Sequence, residues 1–594
     1  VATAAATDAG GRYAFPSVPV GIYRISALVS GFSEDARTIS LASPEESVEV
    51  SFALSVGALT ADVLVTATRS ARDTLDIPLR AETIGRSHIR EKTASSTGDA
   101  MIEVPGITPV GDGPFQVRPR LRGLDSTRVL VLVDGERLNN ARTATDRAGV
   151  EVGLAEVDTV ESVEVASGSG SVLYGTDALS GTINIITDQP QLADRVRFTG
   201  GLSGLYSTNE NGLRGALRLG VSGPRFAIGV SGSLEEFDDY ESGGGEGDVL
   251  EDSRPLFSGP CPVGGTSRNP CLVQADTIDD NFGFNFNAFP DPFNAPFVRT
   301  TRVVPTSGFQ GDNLNARALF AIDDKQSVRF KYVRRHAEDV GFPDFQPPQF
   351  FQGIVLPFSN LDKVSGRYQV RNLNSWFSAL TATVYYQHQN RKLQNIDIPV
   401  QFPAPTAPTF FPINVFRLLI DSTTEQDVST WGLDVQNTFL LSPRNVLTAG
   451  FTVYRDRSAD ERTSSTQMNL VGRVVLGARG PAPVVLPSLV PLGPPTVTQP
   501  VRVPDASFRD VGIFVQDEWD ISPRWKLVAG LRYDNYRVAS EATPGYSVQS
   551  LVAGALPPID PTTLPDLDGQ TVARDAFTGD AGLVFKVDEH VSLT

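Results

Sequence analysis

The carboxylates between Glu235 and Asp252, in the stretch EEFDDYESGGGEGDVLED, are the densest set of groups that could do chemistry in this 594-residue chain. They offer the oxygen ligands that calcium prefers, but not at EF-hand spacing, so a solvated acidic loop is the stronger reading and no metal site is assigned. Asp566, Asp568 and Gly569 make a weaker DxDG pattern. Histidine is scarce, at His88, His336, His388 and His590. Neither HExxH nor G-x-S-x-G occurs, and the carboxylate pairs lie in loops without an identifiable partner geometry, so no catalytic residue and no cofactor is expected. Cys261 and Cys271 are the only two cysteines and lack the companions of a zinc site. Their short separation in a Pro- and Gly-rich segment suits a disulfide-closed loop in an oxidising compartment, contributing about 2–3 kcal/mol.

Glycine-rich chemistry is the other option, in VESVEVASGSGSVLYGTDALSGTINIIT, residues Val160–Thr187. Gly168, Gly170, Gly175 and Gly181 supply positive φ or close backbone approach. A phosphate cradle would need G-x-G-x-x-G or G-x-x-x-x-G-K-[ST] with a helix behind it, and neither pattern is met. The elements around these glycines are strands. Val129 to Val133 is an apolar run with β-branched valine at alternate positions, ending in the turn pair Asp134-Gly135, and Ile183 to Ile186 is a second strand.

Across the rest of the chain, apolar residues come in short pieces with no run of 18 or more, so no membrane-spanning helix is expected. Alternation with period two takes over after Pro190. Leu314, Ala316, Ala318, Phe320 and Ile322 share one face while Asn313, Asn315 and Arg317 take the other. Past the turn at Asp323 to Gln326, Val328, Phe330 and Tyr332 resume the apolar face opposite Arg329 and Lys331. The pattern returns in Trp431, Leu433, Val435 and Phe439 against Asp434 and Gln436, in Ile513, Val515 and Trp519, and in Leu527, Ala529, Leu531 and Tyr533. Such hairpins suit a barrel with lipid outside and a polar lumen, Trp519 and Trp525 flanking a turn where an aromatic girdle meets the interface. A soluble β-sandwich alternates too. Against it stand long loops on one side, short turns on the other, and Arg, Asn and Gln on the face a sandwich would bury. The net charge of −18 argues against a nucleic-acid surface.

The residues Val163 to Val165, Tyr174, Gly175, Ala178, Gly181, Thr182, Ile183, Asn184, Ile185 and Thr187 resemble the end of the plug domain of TonB-dependent outer-membrane receptors. Upstream, Arg122-Gly123, the strand Val129 to Val133 and Asp134-Gly135 repeat the same family pattern in order. Ordered matches over about 70 residues are far more specific than any single short motif. The phrase FVQDEWDISPRWKLVAGLRYD resembles a recurrent hairpin of the receptor barrels. The resemblance implies a mostly β chain with an α+β plug over residues 70–190 and a transmembrane β-barrel over 191–594. Roughly 13 strand candidates follow Arg195, against about 22 in plugged transporters. The chain is therefore expected to carry the N-terminal part of a barrel and to be incomplete at both ends.

Residues 1–56, through Gly11, Tyr13, Phe15, Pro19, Gly21 and Tyr23, resemble a partial carboxypeptidase-regulatory-like β-sandwich, with a β-hairpin turning at Pro16 to Gly21. Residues 57–69 form a linker holding ADVLVTATRS. Its segment Asp62, Val63, Leu64, Val65, Thr66 and Ala67 resembles the TonB box, which pairs with TonB by strand addition. The family implies TonB and its inner-membrane energy-transducing complex as partners, outer-membrane lipid as surroundings, and a small-molecule ligand. Phenylalanine-rich loops suit capture of a bulky, partly apolar ligand or simply pack on themselves. Phe284, Phe286, Phe342 and Phe345 are the aromatic candidates, and His336 is the histidine candidate because haem receptors of the family use loop histidines. The expected function is TonB-dependent import of a scarce nutrient, with an iron chelate (siderophore or haem) first and cobalamin or an oligosaccharide as alternatives. The alternative class is an Oar-like adhesion or binding protein.

Overall fold

The computed structural model describes residues 77–140 with short gaps, 152–245, 298–342, 352–374, 376–397, 413–442, 444–477, 480–499, 501, 503–546 and 566–587. Shorter described pieces include 12–15, 18–27, 35–41, 47–52, 63–64, 72–73, 247–250, 401–405 and 592–594.

The plug is built on a five-stranded sheet in the order Arg80–Gly85, Val160–Ser167, Gly181–Thr187, Val129–Val133, Glu136–Arg137. Gly181–Thr187 runs parallel to Val129–Val133 and antiparallel to Val160–Ser167. A strand buried on both faces must be apolar throughout, which is why Val129–Val133 reads VLVLV without alternation. Asp134 at φ 56° and Gly135 at φ 79° then turn it into Glu136–Arg137, the two consecutive positive φ values of a tight hairpin turn. Val131, Val133, Val163, Val165, Ile183 and Ile185 share one core with Phe115 and Leu154. Gly181 is required by space, because a Cβ there would sit 2.5 Å from the Ala166 carbonyl and inside the Leu121 side chain.

Around the plug stands a sixteen-stranded antiparallel sheet, counted among the described residues. Its long strands follow chain order from Arg197–Ser207 through Gly212–Ser222, Phe226–Phe237, Phe309–Ala321, Gln326–Gly341, Gln352–Arg371, Phe377–Asp397, Ile413–Ser442, Asn445–Gly477, Ala506–Ser522 and Trp525–Ser540 to Thr571–Lys586. Short turns at 223–225, 322–325, 372–376, 443–444 and 523–524 all lie at one end, and the longer connections at the other, apart from the turn 208–211. Trp376, Phe377 and Phe439 cluster at the short-turn end with ring centroids 5.3–6.0 Å apart, as do Trp525 and Phe585 at 4.6 Å. These are the aromatic belt expected where a barrel meets the interface.

The faces of the wall are inverted relative to a soluble protein. Phe198 and Leu202 are 83% and 84% exposed, and Leu314, Phe330, Trp431, Ile513 and Leu531 also point outward, whereas Asn313, Asn315, Lys331, Lys363 and Arg532 are buried inside. Exposed apolar side chains outside and buried polar ones inside are stable only if lipid bathes the outer face. That arrangement excludes the sandwich reading.

The N-terminal hairpin differs from the expectation. Gly21–Ala27 pairs with Asp35–Leu41, Gly21 opposite Leu41 and Ala27 opposite Asp35, so the chain turns after Ala27 and not at Pro16 to Gly21. Pro16 and Pro19 have no N–H to give a ladder. Residues 12–15 carry no strand; Tyr13 instead packs on Phe15 and Phe52, and its hydroxyl donates to the Val50 carbonyl at 2.7 Å.

Candidate functional site: the seam between plug and wall

Asp134 and Glu136 are delivered by the hairpin turn at the end of the buried strand Val129–Val133, which aims both carboxylates at the wall. The Thr187 N–H and hydroxyl donate to Asp134 at 2.8 and 2.6 Å, and the Gly135 N–H donates to Asn184 Oδ1 at 3.0 Å. The wall answers with cations. Lys331 Nζ lies 3.0 Å from Asp134 and 2.9 Å from Glu136, Lys363 Nζ lies 3.1 Å from Glu136, and Arg367 donates to the Asp134 carbonyl at 2.6 Å.

Arg137 points the other way, into the loop after the helix Ser171–Tyr174. Its guanidinium donates to the Tyr174 and Thr176 carbonyls at 3.1 and 2.7 Å, pairs with Asp177, and lies 4.7 Å over the ring of Tyr454 on the wall. Next in the chain, Gly175 at φ +76° packs within 3.0–3.2 Å of the Arg532 guanidinium from the strand Trp525–Ser540, measured from the Cβ it lacks. Arg532 is itself held by Asp534 and by Thr452 at 2.7 Å. On another sector Arg214 donates to the Ser95 and Ala94 carbonyls at 2.8 and 3.1 Å and pairs with Asp158 at 2.8 Å. Asn140 donates to Gln389 at 2.6 Å. The plug is thus tethered around the wall by polar contacts, and at its top by rings: Phe115 of the plug lies 5.5 Å from Phe309, which stacks on Phe237 at 5.0 Å.

These surroundings set the charge states. Burial pushes the Asp134 carboxyl up, but Lys331, Arg317 and the two Thr187 hydrogen bonds outweigh it and hold the group well below the carboxylate range. Glu136 follows the same balance, lowered by Lys331, Lys363 and Arg367. Glu156, buried beside Asp158 and Glu235, goes the other way: burial and those like charges push it up to about 7 despite Arg335 and Arg214. Burial likewise raises Asp177 against the pull of Arg137.

The residues singled out in the sequence fall unevenly on this seam. Asp134, Gly135, Tyr174, Gly175 and Asn184 belong to it, Gly181 packs inside the plug against Leu121 and the Ala166 carbonyl, and Arg122 and Gly123, at φ 53° and 80°, form a separate plug turn. Val63–Leu64 is a short strand paired with Arg72–Asp73, and Asp62, Val65, Thr66 and Ala67 lie outside the described residues. So do Phe284, Phe286, Phe345, Cys261 and Cys271. Phe342 is buried in the core beneath the longer connections. His336 shares the outward parity of Phe330 and Tyr332 and bonds Asn360 and, at 2.8 Å, Glu338. It therefore faces away from the lumen. Arg137, Arg214, Lys363, Arg367 and Arg532 were not singled out. Their one sequence signal is a charge at the inward parity of a strand, or directly after Asp-Gly-Glu.

Residues 73–182 match the family description "TonB-dependent Receptor Plug Domain" and residues 267–594 match "TonB dependent receptor-like, beta-barrel". The chain is 32% identical over 194 residues to the iron-regulated outer membrane virulence protein of Vibrio cholerae, covering 31% of this chain and 29% of that protein. It is 34% identical over 134 residues to the vitamin B12 transporter BtuB of Vibrio vulnificus, 22% of this chain and 21% of that one. Among solved structures, the copper transporter OprC superposes with a TM-score of 0.54 at 15% identity, over 86% of this chain and 61% of that one, a likeness of fold. The alignments span about three-tenths or less of the curated relatives' length. A plug model and a barrel model that together cover most of the chain, on a wall whose apolar face is turned outward, identify it as a member of the TonB-dependent receptors, an outer-membrane family of transporters and receptors rather than enzymes.

Proposed function

We propose that the protein actively imports a scarce nutrient across the bacterial outer membrane, driven by TonB and its inner-membrane complex. The observation that carries this reading is the tethered plug: a domain held against the inner face of the wall through Lys331, Lys363, Arg367, Arg214 and Arg532 obstructs diffusion past it. Work must be done on the plug to open it. The segment Asp62 to Ala67 is the point where that work enters, by strand addition to TonB. The plug, proposed to run over residues 70–190, transmits it to the barrel of residues 191–594. Residues 1–56 form a carboxypeptidase-regulatory-like accessory module. An iron chelate, a siderophore or haem, is the favoured cargo, in line with the iron-regulated Vibrio cholerae relative. Cobalamin is the alternative suggested by the vitamin B12 transporter. Phe284, Phe286, Phe342 and Phe345 are the proposed aromatic contacts; His336 is the weakest member of the set because it faces outward.

The test is Leu64→Pro in the full-length protein in cells. Proline removes a strand-pairing donor. Uptake is expected to disappear while binding of the ligand at the cell surface stays within about twofold, a difference too small to reflect a lost contact. Equal loss of binding and uptake would count against the assignment of the box.

A further inference from the structure

At the short-turn end of the seam, four cations of the plug–wall interface face two carboxylates. Arg317, Arg329, Lys331 and Arg367 line a cavity with Asp134, Glu136, Gln189 and Ser365. Both carboxylates are already engaged, Asp134 by Lys331 and Thr187 and Glu136 by Lys331 and Lys363. The wall register compounds the excess: Arg317 stands directly opposite Lys331, and Arg329 directly opposite Arg367. Like charges facing each other across strands are destabilising unless something neutralises them.

Arg317 is only 8% exposed. One of its nitrogens donates to the Asp188 carbonyl, but Nε and Nη2 have no partner. Nε of Arg329 is buried and equally unpartnered. Buried guanidinium donors left unsatisfied cost free energy, and the loss is largest where the local dielectric is low. The cavity has about 30 Å³ for water-sized atoms, room for two or three of them at roughly 10–15 Å³ each. That suits two or three oxygens of one carboxylate or oxyanion, with the rest of the group lying at the open mouth of the cavity. We propose that Arg317, Arg329 and Arg367 form a binding site for a small oxyanion, lodged between the end of the plug and the wall on the side of the short turns. Bound there, the anion neutralises both cross-strand pairs and fastens the Asp188–Pro190 segment, where plug becomes barrel, to the wall.

The experiment uses inorganic phosphate as probe on the full chain, folded in micelles free of phospholipid. Phosphate is titrated against chloride at constant ionic strength, following the thermal midpoint and, by calorimetry, direct binding. The midpoint is expected to rise with phosphate, as for any ligand that binds only the folded form. Arg329→Gln removes donors that make no hydrogen bond or salt bridge to the plug among the described residues, so folding should survive; it is expected to weaken binding at least tenfold, the loss of about one charge-assisted hydrogen bond. Arg334→Gln, on the outer face of the same strand, is expected to bind as wild type. A second arm repeats the measurement in phosphatidylglycerol vesicles without added phosphate. Stabilisation there that Arg329→Gln abolishes would assign the same site to a lipid phosphate. No phosphate effect in micelles together with no Arg329-dependent stabilisation in the vesicles, or an equal effect in Arg334→Gln and Arg329→Gln, would overturn the site.

Discussion

Lys331 of the wall and Asp134 of the plug, 197 residues apart in the chain, meet in a 3.0 Å ion pair that is buried on both sides. Glu136 shares the same ammonium at 2.9 Å. Lys331→Met keeps most of the side-chain volume but leaves two carboxylates short of a partner. Breaking a buried pair from one side costs about 3–5 kcal/mol. The plug is expected to loosen by that order, read as faster amide exchange in Val129–Val133 and Gly181–Thr187 while the barrel strands exchange as before. Unchanged exchange in both plug strands would show that the pair does not hold the plug.

Glu156 supplies a pH dependence of opposite sign to these depressed acids. Its ordinary value is 4.5 and in the folded plug it is raised to about 7. The folded plug therefore binds the proton more tightly, so its contribution is fully present below the ordinary value and is lost as pH rises through about 7. Asp158 and Glu235 face the group and push its carboxyl up, while Arg335 and Arg214 pull it down. Glu156→Gln is expected to remove the slope between pH 5 and 8 and to make the plug more stable than wild type at the upper end. Denaturant midpoints of the plug across this range are the measurement; parallel pH curves for the two proteins would contradict the assignment.

Gly181 tests the packing inside the plug. A methyl there meets the Ala166 carbonyl at 2.5 Å and the Leu121 side chain, so backbone must move. Gly181→Ala is expected to cost about 1–3 kcal/mol by overpacking, measured as protease sensitivity of the plug in an otherwise intact barrel. Gly123→Ala, with no atom within 4 Å of the added methyl, carries only the strain of φ +80° and should cost less.

What the sequence made legible was whatever is written locally. Val129–Val133 appears with the same bounds in the structure because an apolar, valine-rich run closed by Asp-Gly is a strand ending in a tight turn. The alternation at Leu314, Ala316 and Ala318 against Asn313, Asn315 and Arg317 gave the wall and its inverted faces, since parity is fixed by the pleat. The seam was not legible. Lys331 and Asp134 meet through a turn of the plug and the curvature of a wall, and no spacing in the chain encodes that. His336 shows the same limit from the other side: its place beside a loop was visible, but its parity, shared with Phe330 and Tyr332, sends it outward. The N-terminal turn was misassigned because the prolines that punctuate residues 16–21 end a segment that forms no strand, and the partner lies further on at Asp35–Leu41.

Active import through a plug that must be pulled is the central claim, and uptake with and without functional TonB tests it most directly. Cells carrying the full-length gene would be offered labelled ferric siderophores, haem and cobalamin in turn. The account predicts accumulation of one of them, with an iron chelate first, that vanishes when TonB is inactive while surface binding persists. Accumulation that continues undiminished without TonB would contradict it and make the barrel a passive channel.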